Sequence, residues 1–248
     1  REQLGRSVGV KILSDVDDTL YSSGGKFPAG CDRRYPRHVV YAGCLGVYEA
    51  LDRGWREGTS SCNLVFLSAR PHIYKSVAED QSYQLFRELV REEGGMHSLP
   101  TLLPGHMLPG SEAMLTHCCR RSGAWHKVGR LKHETFLKFA ELYHEFDFVF
   151  LGDNGQGDLL AAQLMMQSQA ERSHRLLPAP QPKLLAALIH EVIEPEDSLS
   201  LQPRASRNWL RGLEQQNIFH HRSYVGAAVA LHVHDPQLMP VQLLAEVS

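Results

Sequence analysis

Short apolar runs rich in β-branched and aromatic residues alternate along the chain with longer stretches whose apolar positions recur at helical spacing. Val8–Ser14 (VGVKILS), Asn63–Leu67 (NLVFL), Phe146–Leu151 (FDFVFL) and Leu184–Ile193 (LLAALIHEVI) read as buried strands. Cys44–Trp55 sets Leu45, Tyr48, Leu51 and Trp55 on one side of a helix, and Pro71–Glu92 is a helix opened by proline in its first turn. Leu131–His144 and Gly157–Ala170 are two more helices, while His232 and His234 alternate as side chains on one face of a strand would. Between Gly94 and Gly129 the pattern dissolves into Gly, Pro, His and Met, which predicts a small irregular insertion. There is no internal repeat and no long linker, so residues 1–248 read as one domain. Strands and helices of these lengths in alternation predict an α/β fold, a three-layer α/β/α sandwich with a central parallel sheet. In such sheets ligands bind at the carboxyl ends of the strands.

Composition narrows the function classes. Lys plus Arg is 26 against 28 for Asp plus Glu, a formal charge of -2, which removes the basic surplus that a nucleic-acid-binding domain would need. The 43% apolar and 22% charged fractions are those of an ordinary globular protein, and no apolar run approaches a bilayer span. Five cysteines, an odd number without paired spacings, point away from a disulfide framework and towards a reducing, cytoplasmic compartment. The chain opens on Arg1 rather than Met, as a segment excised from a longer chain would, and no amino-terminal signal pattern is visible.

Four polar clusters fall at predicted strand ends or helix starts. Asp15-Val16-Asp17-Asp18-Thr19 follows the first strand. Two carboxylates two residues apart on such a turn suit a nucleophile and a proton shuttle, provided a cation tames their repulsion; an Asp-rich turn is the plainer alternative. Ser68, ahead of Ala69-Arg70-Pro71, is either a phosphate seat or an ordinary helix cap. Lys132 can reach the strand ends and neutralise a phosphoryl group, with Lys127 and Arg130 as competitors. Gly152-Asp153-Asn154-Gly155-Gln156-Gly157-Asp158 offers hard oxygen ligands on a loop that glycine keeps open, which suits Mg²⁺.

In the order Asp pair, Ser, Lys, Asp pair, these clusters resemble the haloacid-dehalogenase-like phosphotransferase superfamily. The flanking text SDVDDT, RRYPRHVVYAG, FLSARP, LKHETFLKF and FVFLGDNGQGD is similar to one branch, the catalytic domain of the actin-patch-associated phosphatidate phosphatases, relatives of the lipin and phosphatidylinositol-transfer-associated domains. NIFHHRSYVGAAVAL is similar to the same branch, so the likeness runs from about Gly9 to Ala230. It implies Asp15 as nucleophile and Asp17 as general acid and base, with the Asp17 backbone carbonyl also facing a metal. Thr19 would brace the loop, Ser68 and Lys132 would hold the phosphate, and Asp153 would ligate Mg²⁺ with help from Asp158. Residues 94–129 depart from the pattern, being longer and richer in His and Met.

The expectation is therefore a Mg²⁺-dependent phosphatase with little or no cap domain, working through an aspartyl phosphate. The resemblance implies phosphatidate as substrate and diacylglycerol as product, and so a lipid headgroup presented at a membrane to a peripheral enzyme. Another phosphomonoester is the enzymatic alternative, and a non-catalytic phospholipid-binding domain the other. Arg33-Arg34-Tyr35-Pro36-Arg37-His38 is the best local candidate for membrane contact, short of a polybasic cluster. His117-Cys118-Cys119, His220-His221 and the His232/His234 pair lack the spacing of a zinc site. Met165-Met166 and the aromatics of FDFVF read as core.

Overall fold

The computed structural model describes residues 8–25, 30–53, 63–68, 75–91, 96, 99–104, 122–173, 182–194, 197–201 and 208–247. Among the described residues six strands, β1 (Gly9–Ser14), β2 (Leu64–Ser68), β3 (Thr101–Pro104), β4 (Phe146–Asp153), β5 (Leu184–His190) and β6 (Ile218–His221), form one sheet in the order β3-β2-β1-β4-β5-β6. Every pairing is parallel. The helices are α1 (Cys44–Arg53), α2 (Lys75–Arg91), α3 (Ser122–Leu142), α4 (Asp158–Ser173), α5 (Trp209–Glu214), α6 (Tyr224–His234) and α7 (Val241–Val247).

Alternation along the strands builds the three layers. Val10 and Ile12 of β1, Phe66 of β2 and Val149 and Leu151 of β4 pack with Val47 and Leu51 of α1, Phe86 of α2 and Ala227 and Leu231 of α6. Leu13, Val65, Phe148 and Phe150 point to the other face, against Phe136 and Phe139 of α3, Met165 of α4 and Leu213 of α5. Both faces are covered, which is why the strands are apolar throughout rather than alternately polar. The protein is an α/β three-layer sandwich. From β1 the chain winds outward through β2 and β3, and from β4 outward the other way, so the switch point lies between β1 and β4.

Several expectations need correcting. The stretch from Gly94 to Gly129 is not wholly irregular: Thr101–Pro104 is the edge strand β3, and α3 begins at Ser122 rather than Leu131. Four residues ending in proline are too short to show a period, and proline suits a sheet edge. The early turns of α3 are masked by Gly129, whose added Cβ would sit 2.6 Å from the Gly157 carbonyl oxygen and 3.2 Å from Leu160 Cβ. Glycine lowers helix propensity there so that α3 can approach the start of α4. Residues 105–121, including His117-Cys118-Cys119, lie outside the described residues.

His232 and His234 belong to α6, not a strand, and two residues apart on a helix they face different ways. Ser223 caps that helix, its Oγ accepting from Gly226 N at 3.2 Å. Met165, Met166, Phe148 and Phe150 are core as expected. Among the described residues no helix is long and apolar enough to cross a membrane.

Candidate functional site

Three carboxylates meet at the switch point. Asp15 is the first residue beyond β1, Asp153 ends β4 and Asp158 opens α4. All three are buried, and each offers an oxygen within 4.8 Å of the others. Register explains the meeting: Ser14 pairs with Leu151, and Asp15 N donates to Leu151 O at 2.9 Å, so the two strands deliver their acids to the same level. Gly152 makes room for the third, since a Cβ there would meet Asp158 Cβ at 2.5 Å.

Lys132 completes the group, and it comes from the middle of α3 rather than its first turn. Its Nζ lies 2.8 Å from Asp15 Oδ1 and donates to Asp158 Oδ1. The competitors Lys127 and Arg130 are exposed. Burial disfavours the ammonium, but the charges of Asp15 and Asp158 outweigh it and hold Lys132 above the usual lysine range. Among the described residues a single ammonium stands against the three carboxylates. Desolvation, opposed by Lys132 and reinforced by Asp158 and Asp17, pushes Asp15 up to about 7. Asp153 is driven well above the ordinary carboxylate range by burial and by the charges of Asp158, Asp18 and Asp15.

Hydrogen bonding leaves two oxygens over. Asp153 Oδ1 accepts from Gly155 N at 2.6 Å and Asp158 Oδ2 from Asp153 N at 3.3 Å. Asp15 Oδ2 and Asp153 Oδ2 are buried with no partner among the described residues. Buried carboxylate oxygens are rarely left so, and a surplus of negative charge with two orphaned hard donors is the chemistry of a cation site. A metal ion fits the residues present.

The remaining predicted residues fall around this centre. The Asp17 backbone carbonyl, expected to face a metal, accepts a long bond from Gln156 Nε2 at 3.4 Å, and the Asp17 carboxylate, expected as the general acid and base, is not one of the trio. Thr19 is fully buried, and its Oγ1 finds no partner among the described residues. Ser68 ends β2, the strand beside β1, while its side chain lies outside the described residues. The Arg33–His38 run is exposed. Within it, Arg34 Nε and Nη2 each donate to Asp32 at 2.9 Å.

No family model, curated protein or solved structure matches the chain.

Sequence reasoning assigned no role to Asp18, yet its fully buried carboxylate is the hub of the loop. It accepts from Ser23 N at 2.9 Å, Cys31 N at 2.7 Å, Asp32 N at 3.1 Å and Gln156 Nε2 at 3.2 Å. It thereby staples the segment after the Gly24–Gly25 turn to both acid loops. His190 was missed too, although it is a polar residue at the end of an apolar strand, the signal that marked Asp15. Its ring stacks on His221, with centroids 5.4 Å apart. His220 and His221 are buried with ring nitrogens that have no hydrogen-bond partner among the described residues. Burial lowers both, His220 to about 4, so neither is a charged group in the site at neutral pH.

Proposed function

We propose that this chain is a Mg²⁺-dependent phosphatase of phosphomonoesters that works through an aspartyl phosphate on Asp15, with phosphatidate as the first substrate to test. The reading is carried by the buried trio Asp15, Asp153 and Asp158, with its two orphaned oxygens beside Lys132 at the sheet's switch point. The order of motifs shared with the haloacid-dehalogenase-like superfamily supports it.

Asp15, Asp153 and Asp158 would hold the ion, which when bound supplies positive charge that offsets repulsion between carboxylate and phosphate. The Asp15 carboxylate, at the end of β1 and held by Lys132, would make the in-line attack on phosphorus. The bond from phosphorus to the ester oxygen breaks as the aspartyl phosphate forms, and Asp17 gives its proton to the departing alkoxide. Asp17 then takes a proton from the water that attacks the acyl phosphate, releasing phosphate and restoring Asp15. Lys132, held by Asp15 and Asp158, sets a fixed ammonium beside the reacting carboxylate, where charge positioned in advance stabilises phosphoryl transfer.

The lipid substrate draws support from the branch resemblance and from the exposed Arg33 and Arg37, which flank the Gly24–Gly25 turn on the stapled segment. Phosphate release from phosphatidate in mixed micelles, with Mg²⁺ or with chelator, tests the whole reading. Release is expected only with the metal, and Asp15→Asn should reduce it by at least about 10⁴-fold while leaving the fold intact. Release from an aryl phosphate alone would keep the chemistry and discard the lipid. Wild-type turnover by Asp15→Asn would sink the mechanism.

A further inference from the structure

The turn that carries Asp17 is held in an unusual way. Three consecutive backbone carbonyls each accept a hydrogen bond from a side chain, and the three side chains come from different parts of the fold. Asp17 O accepts from Gln156 Nε2 at 3.4 Å, from the loop between β4 and α4. Asp18 O is 3.0 Å from His190 Nδ1, at the end of β5. A carbonyl only accepts, so this contact fixes the tautomer with hydrogen on Nδ1. Thr19 O accepts from the Tyr224 hydroxyl at 2.5 Å, from the first residue of α6. Upstream, Asp15 O accepts from Ser14 Oγ at 2.8 Å, and Ser14 Oγ is itself 2.7 Å from the Tyr48 hydroxyl.

Ordinary turns do not need such a frame. This one contains Asp18 at φ +61, a left-handed conformation that L side chains rarely adopt. A strained turn persists only where its surroundings over-determine it. Gln156 bonds both the Asp17 carbonyl and the Asp18 carboxylate, so the loop bearing Asp153 and Asp158 is coupled to the turn bearing Asp17. A shift of one loop therefore disturbs these bonds to the other.

We propose that Gln156, His190 and Tyr224 are positioning residues: by pinning carbonyls 17, 18 and 19 they aim the Asp17 side chain at the ester oxygen and the attacking water. The inference rests on the reading of Asp17 as general acid and base. None of the three touches the reacting atoms in this scheme. Each acts through the backbone, so its loss should lower the rate of the chemical steps and leave phosphate binding alone.

The test is steady-state hydrolysis of an aryl phosphate with saturating Mg²⁺, alongside thermal unfolding of every variant. Tyr224→Phe keeps the ring and removes only the donor. His190→Phe keeps a ring against Tyr41 and His221 but cannot donate, whereas His190→Asn restores an N–H near the place of Nδ1. Gln156→Ala, on the loop, is the variant least apt to disturb the core. Misplacement on the ångström scale costs roughly 10²-fold, so kcat is expected to fall by about that factor in Tyr224→Phe and His190→Phe. KM should stay within about twofold. His190→Asn should recover much of the loss. Folded variants that turn over at the wild-type rate would overturn the proposal, as would a His190→Asn no faster than His190→Phe. Wild-type turnover by Asp15→Asn would instead bring down the underlying phosphatase reading, so the two failures are distinct.

Discussion

At the scale of single residues, the candidate site is dominated by three buried acids that the one lysine beside them among the described residues cannot neutralise. Charges taken out of water must be paired, or they shed their charge by taking up a proton. Asp15 is paired with Lys132, yet burial still raises its pKa to about 7 from 3.8, so without a bound metal ion it takes up its proton well above the usual carboxylate range. A carboxyl raised in this way adds stability that is whole below its unfolded value and is lost as the pH climbs through the folded one. Chelated protein should therefore lose stability from this group between about pH 4 and 7, and a bound divalent cation should replace the missing proton. The difference in Tm between Mg²⁺-loaded and chelated protein is expected to widen from pH 5 to pH 8, and to narrow in Asp15→Asn. Thermal melts at matched ionic strength check this, and a difference that stays constant with pH would contradict it.

At the scale of elements, the loop from β4 to α4 has the tightest tolerances. Gly152 leaves no space for a methyl group, which would press on the Asp158 carboxylate as well as its Cβ. Gly152→Ala should raise the Mg²⁺ concentration needed for half-maximal activity at least tenfold, a loss of about 1.4 kcal/mol, read from metal titrations of activity. Gly157, at φ +90 with the Trp125 carbonyl against its α-carbon, binds the same loop to α3. Here the sequence was most legible, because acids and glycines in one short span announce a constrained turn at a strand end. Apolar runs likewise marked β1, β2, β4 and β5, since each is covered on both sides. What escaped was set by contacts distant in sequence. β3 is too short to carry a period, and α3 was obscured by a glycine placed there for packing. His190 and Tyr224 matter only because folding brings them to carbonyls 18 and 19.

At the scale of the whole molecule, two separate cores sandwich the sheet and share its backbone. Phe66 stacks on Phe86 in one layer, and Phe148 meets Phe136 edge to face in the other. Truncating either to alanine should cost about 3–5 kcal/mol. Because they lie in different cores, on strands separated by β1, the losses should add to within about 0.5 kcal/mol in Phe66→Ala/Phe148→Ala, measured by urea unfolding. The strand order also governs the life of the nascent polypeptide. β1 leaves the ribosome well ahead of the partner that completes one of its edges, which begins at Phe146, paired with Gly9. At about 5–20 residues per second, that edge waits on the order of ten seconds for its neighbour. During that interval an apolar strand with unmet amides is open to chaperones and to stray pairing, and Asp15 cannot meet Asp153 until β4 has followed.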